Sequence, residues 1–69
     1  MYEERHVTPS RGGWKVTPPG GQRPASRHAT PREAVRRARG TMLDDGGELV
    51  IHGRDGEVHA KITYRPRAS

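Results

Sequence analysis

Thr30-Pro31-Arg32-Glu33, followed by Ala34-Val35-Arg36-Arg37-Ala38-Arg39, decides how this chain divides into elements. A threonine side chain before a helix can accept from the N2 or N3 amide, and proline is preset for the first helical position. Glu33 at N3 can reach back to the Thr30 amide, completing a capping box. A helix therefore starts here. Ala34, Val35, Ala38, Met42 and, at its rim, Leu43 recur at spacings of three and four, a narrow apolar stripe. Its alanines imply close approach to whatever the helix covers. Gly40 is an unfavourable mid-helix residue, by up to about 1 kcal/mol, and Asp44-Asp45-Gly46-Gly47 ends the helix.

Outward from the helix the pattern changes to period two. On the N-terminal side Val7-Thr8 and Trp14-Lys15-Val16 are β-favouring stretches joined by Ser10-Arg11-Gly12-Gly13, a turn sequence. Pairing Val7 with Val16 and Pro9 with Trp14 gathers the apolar side chains of that hairpin on one face. Thr17 to Pro24 is too rich in Pro and Gly for regular structure. Ala25 to Ala29 then allows a short third strand with Ser26 and His28 on one face and Arg27 on the other.

On the C-terminal side Glu48–His52 and Glu57–Tyr64 form a second hairpin around Gly53-Arg54-Asp55-Gly56. Asp55-Gly56 suits a two-residue type I′ turn, which sets Ile51 against Ala60 and Leu49 against Ile62. A three-residue loop would set Ile51 against His59 and mix the faces. The two-residue turn is favoured, with Val58, Ala60, Ile62 and Tyr64 joining Leu49 and Ile51 on the buried face. Val50, His52, His59 and Lys61 share the opposite face. The expected fold is α+β: a small antiparallel sheet from two hairpins in ββ(β)αββ order, with one helix packed on one face. Residues 6–64 form a single domain, with flexible segments at 1–5 and 65–69.

Composition narrows what such a domain does. At 69 residues there is room for one core, and with 29% apolar residues and no Phe that core is thin. A homodimer is one way to relieve that. There is no cysteine, hence no disulfide and no thiolate metal site. Met1 to His6 is charged rather than apolar, and no run approaches a membrane span, so the expected location is cytoplasmic. Thirteen Lys and Arg against eight acidic residues leave a charge of +5, and Arg grips phosphates bidentately.

Four histidines raise the question of a metal. His52 and His59 fall as cross-strand neighbours in the favoured register, but no third ligand is in view, and neither a metal nor a cofactor is expected. Ser10 and Ser26 have no base at a diagnostic spacing, and Asp44-Asp45 is explained by the helix end, so no catalytic residue is assigned. Trp14, sharing a face with Val7 and Val16, reads as a core anchor rather than a stacking platform for bases. Arg27, Arg32, Arg36, Arg37, Arg39 and Arg54 could lie on phosphates, although a solvated helix face is the commoner reason for such a run.

His6-Val7-Thr8-Pro9, Gly13-Trp14-Lys15-Val16, Ser26-Arg27-His28-Ala29-Thr30 leading into Glu33-Ala34, and Gly47 to Gly56 together carry a resemblance. The chain resembles a bacterial family of very short proteins known as the domain of unknown function numbered twenty-one eighty-eight. The resemblance covers His6 to about Tyr64 and implies a ββ(β)αββ domain, with no activity or ligand to carry over. The Pro18-Pro19-Gly20-Gly21 loop and the Arg-rich helix depart from the family pattern.

With so little side-chain chemistry, the expected function is a non-catalytic protein-interaction or self-association module. Sheet-edge pairing needs only backbone groups. Val50, His52, His59 and Lys61 are its candidate face, and the partner is a second copy or another protein. The alternative is a sequence-tolerant nucleic-acid-binding accessory protein that uses the six arginines.

Overall fold

The structure is a computed structural model that describes residues 4–21 and 23–65. Along the chain run β1 (Glu4–Ser10), β2 (Gly13–Thr17), β3 (Ser26–His28), α1 (Pro31–Asp45), β4 (Gly47–His52) and β5 (Val58–Tyr64). This is the expected α+β fold with one helix and the expected element order. Of the segments expected to be flexible, residues 1–3 and 66–69 lie outside the described residues, while Glu4 and Arg5 are part of β1.

Helix α1 starts where its sequence dictates, although among the described residues only the Thr30 half of the expected capping box forms. Thr30 is its extended N-cap, the Glu33 amide donates to the Thr30 hydroxyl at 3.2 Å, and Pro31 occupies the first turn. At the other end Gly46 and Gly47 both have positive φ, 74° and 118°, which reverses the chain from helix into β4 within two residues. Side chains with a Cβ rarely adopt that backbone.

Each hairpin pairs antiparallel in the expected register. Val7 faces Val16 and Pro9 faces Trp14, while Leu49 faces Ile62 and Ile51 faces Ala60. β3 adds antiparallel to β2, with His28 beside Trp14 and Ser26 beside Val16. The seam between the hairpins departs from the wholly antiparallel sheet read from the sequence. β1 runs parallel to β4, with Glu4 beside Glu48, Arg5 beside Leu49, His6 beside Val50 and Val7 beside Ile51. The five-stranded sheet is therefore mixed, in the order β3-β2-β1-β4-β5. Parallel neighbours require a long crossover, and here β2, β3 and α1 make up that crossover.

The second turn reaches the expected register by another route. The Gly53 amide donates to the Glu57 carbonyl at 2.8 Å and the Gly56 amide to the Gly53 carbonyl at 2.9 Å, so Arg54, Asp55 and Gly56 form a three-residue loop. Only Gly56 has positive φ there, which excludes the type I′ turn. The extra loop residue is offset by a bulge. His52 pairs with Val58 and Ile51 with Ala60, leaving His59 unpaired between them.

One face of the sheet carries the core. Val7, Trp14, Val16 and Leu49 pack against Ala34, Ala38 and Met42 of α1, with Val35, Ile51 and Tyr64 at the margin. Trp14 is 6% exposed and anchors that core. The helix packs over β1, β2, β3 and β4, and β5 lies largely outside that contact. Val58 and Ile62, expected in the core, are accordingly 52% and 38% exposed. Val58 also pairs with His52 through the bulge rather than with a helix-side residue.

Candidate interaction surface

The sheet has two edges, and they are unequal. β3 is three residues long and follows Pro24, whereas β5 is seven residues long. An edge strand presents alternate N–H and C=O groups without partners, which is a template for another strand. β5 carries that template beside exposed apolar side chains, because α1 is centred on the strands before it.

The face opposite the helix is organised around β1 and β4. The parallel seam sets His6 and His52 side by side: the rings stack with centroids 5.1 Å apart, and His6 Nδ1 lies 2.9 Å from His52 Nε2. Beyond them the chain of contacts continues in both directions, His6 Nε2 lying 3.1 Å from Glu4 Oε1 and His52 Nδ1 lying 3.0 Å from the Gly56 carbonyl. The carbonyl only accepts, so His52 Nδ1 carries a proton. The Glu4 carboxylate likewise accepts a hydrogen bond from His6 Nε2.

Val50 lies between His6 and Lys61 and is 1% exposed, so it contributes no surface although it stands on the face assigned to interaction. Lys61 lies 3.6 Å from Glu48, across the β4–β5 ladder. His59 does not meet His52 as the sequence register had it. As the bulge residue it lies against Gly53, where an added Cβ would run into its ring, and 3.7 Å from Asp55. With both nitrogens of His52 engaged by His6 and Gly56, His52 and His59 share no ligand position.

The six arginines divide among three surfaces. Arg32, Arg36, Arg37 and Arg39 are exposed on α1, and no ion pair engages them among the described residues. Arg27 lies across the sheet in β3, paired beside Lys15 and donating to the Ser10 hydroxyl at 2.8 Å. Arg54 sits in the β4–β5 loop and lines a shallow cleft with Ser10, Gly12 and Trp14. Arg11 borders the adjoining cleft with Arg27. The contributions of Arg11, Glu4 and His6 were not read from the sequence, since each depends on which strands become neighbours.

The chain belongs to the bacterial family described as "Uncharacterized protein conserved in bacteria (DUF2188)", whose pattern it matches over residues 5–64. It is also similar to the uncharacterized protein YdaT of Bacillus subtilis (strain 168), 34% identical over 62 residues. That alignment takes in 90% of this chain and 41% of YdaT, so the chain spans about two-fifths of the relative's length. No solved structure gives a significant match. Among the described residues no helix is long and apolar enough to cross a membrane.

Proposed function

We propose that this chain is a non-catalytic protein-interaction module that receives an extended strand from a partner along the free edge of β5. The observation that carries this reading is the position of β5 beyond the helix, with its outer backbone edge unpaired among the described residues and Ile62 and Val58 exposed. Backbone pairing supplies affinity in strand addition, and alternate side chains supply selectivity. The half-buried His6–His52 seam gives the edge a firm backing, because it ties β4, the neighbour of β5, to β1. The proposed setting is the cytoplasm, where a chain without cysteine loses nothing to a reducing environment.

Selection of randomised seven-residue peptides on the purified chain tests this reading, with the bound peptide mapped by amide chemical shifts. Strand addition moves the β5 amides in a continuous run. Perturbations confined to the helix or to β3, or no selectable peptide, would refute it.

A second reading rests on the four exposed helix arginines that lack ion pairs among the described residues. A sequence-tolerant nucleic-acid contact would run along α1 alone, since Arg27 and Arg54 stand on other surfaces. Titration of duplex and single-stranded oligonucleotides at two salt concentrations tests it, because phosphate contacts weaken steeply with salt. Absence of binding at low salt eliminates it.

A further inference from the structure

We infer that the strand received by β5 is the β5 of a second copy, antiparallel across a two-fold axis at Ile62, a reading that rests on the edge-pairing function proposed above. Opposed residues of an antiparallel pair share a face, so only registers with an even residue sum keep the helix-side and open-side residues in phase. The bulge at His59 breaks the strand, leaving Ala60–Tyr64 as its regular part, and Ile62 is the midpoint of that segment. Placing the axis there sets Ile62 against Ile62, Ala60 against Tyr64, and Lys61 against Thr63.

That arrangement matches apolar to apolar on the helix side and keeps like charges apart on the other. Beyond the regular segment, Arg65 of the second copy falls near the bulge at His59, where Asp55, 3.7 Å from His59, supplies a carboxylate. Of the neighbouring in-phase registers, the one centred on Lys61 stacks two lysines at the axis and the one centred on Thr63 sets Lys61 against Arg65, the kind of contact by which edges resist pairing. The Ile62 register also shields the exposed apolar side chain that the helix leaves uncovered. The result is a continuous ten-stranded sheet, twice the five strands of one chain. A single-strand seam buries less than the usual stable interface, so the dimer is expected to dissociate on dilution.

Because the chain has no cysteine, single substitutions read the register directly. Ile62→Cys places two thiols opposite one another at the axis, within disulfide reach, whereas Lys61→Cys does not. Mild oxidation is expected to convert most of Ile62→Cys, and little of Lys61→Cys, to a disulfide-linked dimer. In sedimentation velocity from about 5 to 500 µM the unmodified chain should pass from monomer to dimer, and Ile62→Lys should stay monomeric throughout. Both variants change a side chain that is 38% exposed, so folding is checked by circular dichroism rather than assumed lost.

Efficient cross-linking of Lys61→Cys in place of Ile62→Cys would overturn the register. A dimer dissolved by Leu43→Lys but not by Ile62→Lys would move the interface to the helix and overturn the seam. A monomer at every concentration overturns the second copy as partner. In that case selected peptides mapping to β5 leave the edge-pairing function standing, and their failure removes it too.

Discussion

His6 Nδ1 faces His52 Nε2 at 2.9 Å across the parallel seam between β1 and β4, two residues that are 46 positions apart in the chain. This contact joins the two hairpins on the side the helix does not cover, with Val50 buried beside it.

The Gly56 carbonyl beside His52 Nδ1 dictates a ring tautomer that solution NMR can read. Ring nitrogen shifts are expected to show a proton on Nδ1 of His52. Replacing His52 with Ala should cost about 1 kcal/mol in urea unfolding, the net worth of a typical hydrogen bond. A His52 ring protonated at Nε2 alone would contradict the arrangement.

Gly13 and Gly40 should respond to alanine in opposite directions. A Cβ on Gly13 would collide with the backbone carbonyl of His28, where β2 and β3 approach closely. Gly40 lies in the helix with open space around its Cα. Gly13→Ala is expected to destabilise by about 2 kcal/mol or more, since a backbone neighbour cannot move aside cheaply. Gly40→Ala should stabilise by up to about 1 kcal/mol through helix propensity. Melting temperatures of the two variants, moving down and up respectively, check the pair.

Arg5 ties β1 to the end of the helix. Its Nη1 donates to the Met42 sulfur at 3.3 Å and its Nη2 lies 3.5 Å from Asp45. Arg5→Ala should lower stability by about 1 kcal/mol, partly through lost packing of its stem on the sheet. Arg5→Lys, which keeps the charge and loses the fork, is expected to recover only part of that in the same urea titration. Full recovery would show that charge alone matters.

The Thr8 hydroxyl is buried and has no hydrogen-bond partner among the described residues. Leaving such a group unsatisfied costs about 1 to 3 kcal/mol, so Thr8→Val, nearly equal in shape, is expected to stabilise by about 1 kcal/mol. A measured loss of stability would mean that the hydroxyl is bonded in solution.

Local elements were legible because their signals are short-range. The Thr30-Pro31 start of the helix needs only residues 30–33, and the pairing of Val7 with Val16 follows from period-two alternation about a glycine turn. The second hairpin shows where that legibility stops. Its register of Leu49 with Ile62 was readable from apolar matching, yet the Asp55-Gly56 turn type was not, since a bulge at His59 compensates for the longer loop. Turn and bulge are exchangeable solutions to the same facial requirement, and alternation reports only the requirement.

What the sequence determined by itself was therefore the helix, its stripe of Ala34, Ala38 and Met42, and two hairpins with their facing residues. The tertiary structure alone decided that β1 and β4 run side by side in parallel. No turn connects those strands, and no residue in either announces the other. From that one pairing follow the meeting of His6 with His52, the enclosure of Val50, and the position of β5 as an edge beyond the helix. Apolar period specifies which face of a strand is buried, but the neighbour it acquires is settled by how a narrow helix and two ribbons share a single small core.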